Sequence, residues 1–502
     1  MIPLLHKEGA RQAALYAALR QLVESGQLQP GEKLPPSRQL SAQLSISRGA
    51  IVAAFDQLVS DGFAEAKIGS GTFVAEAIPH PRKQSRKPSF APDILPVMPG
   101  RMGSAMIDGT AFSMLRRLIG KDLRQPAPLG LHYSDPRGSH SLREQIANYL
   151  RSARGVRLHA EQVMLTSGSR QALDFVLRSL LSPGDTVCIE DPGYPAAVAL
   201  IRGNGLKIMP IPVDAEGLSV SVGRASAPRA RAIYVTPSHQ YPLGVTMTMK
   251  RRLALLEWAE AASAWVIEDD YDSEFRYTGP PVTSLQGMDS ADRVIYLGTF
   301  SKALFPGLRM GYVVLPEAAI DRVIALRERT DCYPQTLAEG ALTRFLRDGH
   351  FASHLRRARK RAQSTRDALI AGLGTGPIRT ASPAQGLHLV AQIPNSLSET
   401  HAVYLASQAG LYVRPLSGMY LASKVQRGLL IGFSGFSPED FSRTSRTFSR
   451  LVSEEMQLND GHGGAFVTKE SAKKHSAAVC LRHRSSRGRG RAKKSTEPSR
   501  NR

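Results

Sequence analysis

The sequence predicts an α/β protein in two unequal parts: a small helical unit closed by a hairpin, then a large domain on a mostly parallel sheet. Three observations predict this. A chain of 502 residues is too long for one ordinary core. Residues 9–77 hold three short amphipathic stretches followed by strand, turn and strand. From about 100 to 455, short apolar runs alternate with amphipathic helical stretches, as in a sheet covered on both faces.

Composition narrows the possibilities. Hydrophobic residues make up 42% of the chain, normal for a globular protein. No apolar run of about 18 residues is present and Met1 to Ala10 lacks a signal-peptide core, so no membrane span is expected and the cytoplasm is the expected location. Cys188, Cys332 and Cys480 lie far apart, which fits a reducing compartment and implies neither a disulfide framework nor a metal site. The formal charge of +22 points to a polyanion such as nucleic acid. Nearly half of that excess sits in a tail: Lys469 to Arg502 carries twelve Lys and Arg against two Glu. Residues 78–105, with five prolines between His80 and Pro99 and a run of Arg82, Lys83, Arg86 and Lys87, read as a linker. Residues 106–455 read as the large domain, and 460–502 as a basic disordered tail.

In the small unit, Leu15, Leu19, Leu22 and Val23 recur at helical spacing. Ser37 is expected to cap a second helix through Leu44 and Ser47 a third, with Ile51, Val52, Phe55 and Leu58 on its apolar side. Phe63 to Ile68, the Gly69-Ser-Gly71 turn and Thr72 to Val74 form a hairpin. Two short helices and a tight turn have helix-turn-helix proportions, and the hairpin is its wing. The third helix would enter the major groove leading with Ser47 and Arg48. Arg38 and Lys67 would grip phosphates, and Gly69 and Gly71 would let the wing approach closely.

In the large domain, Gly298-Thr-Phe-Ser-Lys302 follows an apolar strand, with Arg309 seven residues on. Such a lysine can form a Schiff base with the aldehyde of pyridoxal 5'-phosphate. The hydroxyls of Thr299 and Ser301 and the Arg309 guanidinium can hold its phosphate. Ile267-Glu-Asp-Asp-Tyr271 ends an earlier strand; Asp269 is assigned to the pyridine nitrogen, with Asp270 the competing choice, and the Tyr271 hydroxyl to the ring oxygen O3'. Thr166-Ser-Gly-Ser-Arg-Gln171 opens a helix as a phosphate cradle. Tyr194 can stack on the ring, and His239 and Gln240 can face its substituents.

The phrases Leu34-Pro-Pro-Ser-Arg-Gln-Leu40, Asp61-Gly-Phe63 and Gly69-Ser-Gly-Thr-Phe-Val74 closely resemble the GntR-type winged helix. Tyr133-Ser-Asp-Pro-Arg-Gly138, Ser167-Gly-Ser-Arg170, Glu190-Asp-Pro-Gly-Tyr194, Pro237-Ser-His-Gln240, Glu268 to Glu274 and Thr299-Phe-Ser-Lys302 resemble the PLP-dependent fold-type I aminotransferases, and within them the MocR subfamily of GntR regulators. The resemblance implies a large sheet domain with a small C-terminal α+β subdomain. It implies Lys302 as the Schiff-base lysine, Asp269 and Tyr271 on the ring and Tyr194 above it. Ser169, Arg170, Thr299, Ser301 and Arg309 would surround the phosphate, and Tyr133 would reach the phosphate of a neighbouring subunit. A homodimer with two winged helices on operator DNA is implied as well.

The resulting expectation is a DNA-binding transcription regulator controlled by pyridoxal phosphate, alone or with an amino-compound effector. The alternative is a working aminotransferase with an appended DNA-binding domain. Two departures bear on the choice. Arg170 stands where the family often has Gln, and Leu429 to Phe433 is apolar where aminotransferases carry an arginine for the substrate carboxylate. Arg414 is nearby in sequence, with no place assigned to it.

Overall fold

The computed structural model describes residues 11–77, 97–124 and 132–461. It divides into two compact units, Met1–Pro96 and Val97–Arg502.

The first unit has helices α1 (Arg11–Glu24), α2 (Ser37–Leu44) and α3 (Arg48–Ser60), then strands β1 (Ala64–Lys67) and β2 (Gly71–Val74) in an antiparallel pair. Leu15, Leu19, Leu40, Ile51, Phe55, Leu58 and Phe63 share one core, so the helical spacings in the sequence do mark buried faces. Ser47 caps α3 by accepting the Ala50 amide. Ser37 does not cap α2. Pro36 holds the cap position and Ser37 is the first helical residue, its hydroxyl instead accepting Arg48 Nε at 3.4 Å. Val52, expected on the apolar side of α3, is 40% exposed because it lies a full quarter-turn from Ile51.

The second unit carries an eight-stranded sheet from strands β3 (Val163–Thr166), β4 (Thr186–Asp191), β5 (Lys207–Asp214), β6 (Gly217–Leu218), β7 (Ala232–Val235), β8 (Trp265–Asp270), β9 (Val294–Thr299) and β10 (Gly311–Val314). Their spatial order is β3-β10-β9-β8-β7-β4-β5-β6. The block from β5 to β9 is parallel, and β10 runs antiparallel to both β3 and β9. A smaller antiparallel sheet, in the order β11-β12-β14-β13, comprises β11 (Arg379–Thr380), β12 (His388–Gln392), β13 (Arg414–Pro415) and β14 (Leu429–Gly432). Parallel strands buried on both faces explain the continuous apolar runs of the sequence. Leu165, Tyr296 and Tyr312 pack on one side of the large sheet, and Met164, Ile267, Ile295 and Leu297 on the other.

Residues 97–105, placed in the linker by composition, belong to the second unit: Tyr412 and Gly432 donate backbone N–H groups to Pro99 and Gly100. The last helix, Pro438–Gly461, ends inside the expected tail; residues 462–502 and most of the linker lie outside the described residues.

A buried ion pair fixes the site-bearing strand. Arg154 bonds Asp270 at 2.8 Å and the Ser238 hydroxyl at 2.7 Å, while Tyr296 donates to the same Asp270 oxygen at 2.5 Å. Removing one member of such a pair leaves the other charge uncompensated. Arg154→Ala is therefore expected to destabilise the large domain by about 3–5 kcal/mol, read as a lower urea midpoint of its unfolding.

Candidate functional site

The carboxyl ends of β7, β8 and β9 and the loops after β3 and β4 converge on one cleft of about 300 Å³. Parallel strands ending together leave their last side chains facing a common crevice, which is where open α/β sheets bind ligands. Asp269 from β8, Thr299 from β9, and Ser301, Lys302 and Arg309 beyond it line this cleft. So do Ser169 and Arg170 at the start of the helix Ser169–Leu180, and Tyr194 after β4.

Asp269 is 5% exposed and accepts the Tyr234 hydroxyl at 2.6 Å on one oxygen. Its other oxygen is buried without a partner among the described residues. Burial pushes its pKa up to about 6, against the opposing bond from Tyr234. Burial also lowers the pKa of Lys302, while the charges of Asp272 and Asp269 oppose that shift. A lysine so placed has a larger share of neutral, nucleophilic amine. Gly103, at φ +83, passes so close that a Cβ there would lie 3.1 Å from the Lys302 amine. The backbone strap can approach only because glycine stands at this point.

At the other end of the cleft, the Thr299 hydroxyl accepts the Ser301 amide at 3.1 Å. Arg309 adopts φ 49, and its guanidinium has no hydrogen bond or ion pair among the described residues. Arg170 Nε donates to the Tyr194 hydroxyl at 3.1 Å, its guanidinium 5.8 Å from the ring centroid. The residues present fit pyridoxal phosphate: an unsatisfied buried carboxylate oxygen for a protonated ring nitrogen, an amine for the aldehyde, and hydroxyls with guanidinium groups for the phosphate.

Two expected contacts are not brought to the cleft. Gln240 is 1% exposed, and its amide donates to Glu190, Pro192 O and Tyr241 O. Its hydrogen bonds are spent on holding two loops together. His239 is held by Asp272 at 3.0 Å behind the lining. Tyr133, expected to serve a neighbouring subunit rather than this chain's own cleft, is 87% exposed, against Tyr333. The Tyr271 ring lines the cleft, but its hydroxyl donates to His239 O at 3.0 Å. Asp270, the competing choice to Asp269, is committed to Arg154 and Tyr296 and does not line the cleft.

Sequence reasoning missed Tyr234, Tyr241, Asp272 and His388, which all line the cleft. Tyr234 had a findable signal. In parallel register it sits beside Ile267, two residues from Asp269, so both project from one sheet face. Seeing this required knowing that β7 neighbours β8. His388 Nε2 donates to Pro242 O, 3.1 Å away, and burial pushes its pKa down to about 3. His239, Asp272 and His388 bring nitrogen and oxygen atoms within 4.8 Å of one another. Both Asp272 oxygens are already engaged, by His239 and the Leu387 amide, while His388 Nδ1 and His239 Nε2 are buried without a partner among the described residues.

In the first unit, Arg38, Ser47, Arg48, Lys67, Gly69 and Gly71 are all exposed. Gly69 and Gly71 have φ of +75 and +113, as the tight wing turn requires. Lys67 lies 5.0 Å from the Phe73 ring centroid, on the wing.

Comparison with known proteins accords with both halves. Residues 11–74 match the bacterial regulatory proteins of the gntR family, and 126–441 match aminotransferase class I and II. The probable rhizopine catabolism regulatory protein MocR of Rhizobium meliloti is 35% identical over 85% of this chain and 90% of its own length. The chain belongs to the MocR subfamily of GntR-type regulators. Another relative, the pyridoxine biosynthesis transcriptional regulator PdxR of Corynebacterium glutamicum, is 34% identical over 87% of this chain and 95% of its own. Among solved structures, Pyrococcus horikoshii kynurenine aminotransferase superposes at TM-score 0.64, with 27% identity over 70% of this chain and 90% of that one. The large domain of this MocR-type chain thus has the fold of a PLP-dependent family.

Because the folded-state pKa of Asp269 is raised, its ionisation opposes folding, and the cost grows as pH rises from about 4 through about 6. Asp269→Asn lacks this cost. Without cofactor, the variant is expected to gain about 1–3 kcal/mol over the wild type at pH above about 7, with the gap closing below about pH 4. Urea midpoints of both proteins across that range check the sign.

Proposed function

We propose that this protein is a cytoplasmic, homodimeric transcription regulator that bonds pyridoxal 5'-phosphate to Lys302 and uses it, alone or with an amino compound, to control operator binding. The observation that carries this reading is the unsatisfied Asp269 oxygen buried in the same cleft as Lys302. A buried acceptor left unpaired is costly, and a protonated ring nitrogen is the donor that satisfies it. Bound there, the cofactor supplies an aldehyde open to amines and an electron-withdrawing ring.

The chain's own residues then have distinct tasks. Lys302 presents an amine whose neutral form burial favours. Asp269, steadied by Tyr234, stays ionised beside the positive ring. Tyr271, whose hydroxyl donates to His239 O, would serve the ring oxygen, and Tyr194 would cover the ring face. Ser169, Arg170, Thr299, Ser301 and Arg309 hold the phosphate, and Tyr133 reaches the phosphate of the neighbouring subunit. A ligand that favours one dimer state shifts the DNA-binding equilibrium by its differential affinity. On DNA, Ser47 and Arg48 read the major groove while Arg38, Lys67 and the Gly69–Gly71 turn meet the backbone.

A working aminotransferase is the second reading, favoured by the fold and by Lys302 and Asp269 lying in one cleft. Leu430, apolar and fully buried, argues against it, because aminotransferases hold the substrate carboxylate from this strand with an arginine.

Borohydride reduction of the protein mixed with pyridoxal phosphate is expected to fix one phosphopyridoxyl mass on the peptide containing Lys302, and Lys302→Ala to lose it. In the same comparison, cofactor should change operator affinity of the wild type and not of the variant. No label together with unchanged affinity refutes the reading. Lys67→Ala should weaken binding to all DNA sequences alike and reduce the slope of log affinity against log salt by about one, measured by titration at several salt concentrations.

A further inference from the structure

Two buried histidines beside the cleft have their tautomers fixed by their neighbours. His239 Nδ1 lies 3.0 Å from an Asp272 oxygen and 3.1 Å from the Tyr271 oxygen. The Tyr271 proton goes to His239 O, so both neighbours of Nδ1 are acceptors and Nδ1 carries the hydrogen. His388 Nε2 donates to Pro242 O at 3.1 Å, which places the hydrogen of that ring. A neutral imidazole has one N–H and one bare lone pair. The bare nitrogens are therefore His239 Nε2 and His388 Nδ1, and each is buried without a partner among the described residues. The two residues are 2% and 1% exposed, so water does not serve them from bulk.

A buried acceptor without a donor is costly, and here two stand together. The ring centroids are 4.6 Å apart, and one ligand atom from each of His239, Asp272 and His388 lies within 4.8 Å of the others. With zinc–nitrogen bonds of about 2.1 Å, two imidazoles on one tetrahedral ion have their centroids about 5 Å apart. The His239 N–H reaches both Asp272 oxygens and the Leu387 amide reaches one. An ionised carboxylate offers about four lone-pair sites, so Asp272 keeps a free one. A carboxylate that holds one ring N–H while the other ring nitrogen stands bare is the arrangement found behind metal-bound histidines. Asp272 and His388 line the cleft, which gives an ion its way in.

We propose that His239 Nε2 and His388 Nδ1, with an oxygen of Asp272, form a site for one first-row divalent ion, best matched by zinc, in the wall of the cleft. Nitrogen donors select zinc, nickel or copper over magnesium and calcium, which take oxygen ligands. The remaining position opens to the cleft beside His388 and Asp272, and water or an oxygen of a molecule in the cleft fills it. The inference stands on these three residues and does not need the cofactor reading above.

The test uses full-length protein freed of metal with a chelator, without added cofactor. Calorimetric titration with zinc chloride is expected to show one site per chain with a dissociation constant of about 1 μM or lower, unchanged by an excess of magnesium. His239→Gln and His388→Gln should each weaken that site about a hundredfold or more, and Asp272→Asn about tenfold or more. Circular dichroism of each variant checks that it is folded before its affinity is compared. X-ray absorption at the zinc edge of the loaded wild type needs no variant to fold. It should show a shell of nitrogen and oxygen only, with two imidazoles at about 2.0–2.1 Å. A shell that contains sulfur or fewer than two imidazoles overturns the proposal. So does zinc binding that either folded histidine variant retains within about twofold, or a wild type that takes up no zinc.

Discussion

The cleft is organised around one electrostatic constraint: a carboxylate, Asp269, taken out of water with one oxygen bonded and the other left without a donor. A buried charge is costly unless it is paired. The rest of the site is arranged so that the charge stays in place. Tyr234 from the adjacent strand steadies one oxygen, and the field of Lys302 favours the ionised form. The same burial depresses the lysine, so acid and amine are each shifted toward the neutral side of their usual range.

Precision at that point comes from polar networks behind it. Glu190 accepts the Thr236 amide at 3.2 Å and the Thr236 hydroxyl at 2.5 Å, and the Gln240 amide ties the same carboxylate to the loop at 241. Asp191 accepts three successive backbone N–H groups from Leu421, Ala422 and Ser423. That set joins the loop carrying Tyr194 to the small-sheet region. On the far side, Arg154 clamps Asp270 next to Asp269. Low local dielectric strengthens such satisfied networks, and they fix side-chain positions more tightly than apolar packing alone. Gln240 and His239 are therefore supports of the cleft wall rather than contacts to what the wall encloses.

The winged helix needs less machinery. A single apolar core holds its three helices, and the groups expected to meet DNA stand exposed at the start of α3, on α2 and on the wing. DNA affinity rests largely on charge, which requires exposure rather than burial. The cleft around Asp269 depends on the opposite. A chain that joins the two thus combines an exposed charged surface with a buried polar cleft.

The order of motifs along the chain was enough to settle the two-part α/β architecture, the winged helix and the strand-end positions of Asp269, Lys302 and Arg309, because each is written locally: helical spacing, a glycine turn, or a reactive residue following an apolar run. What the sequence alone left open were relations between strands. The choice of Asp269 over Asp270 turns on which carboxylate faces the cleft and which faces Arg154. Tyr234 became a partner of Asp269 only through the β7–β8 register. Ser37 lost its expected capping role to Pro36, and Gln240 its expected cofactor contact to the loops it ties. A chain specifies local conformation through neighbouring residues, whereas the direction in which a side chain projects, and what it meets there, depends on sheet order and register, which only the assembled fold decides.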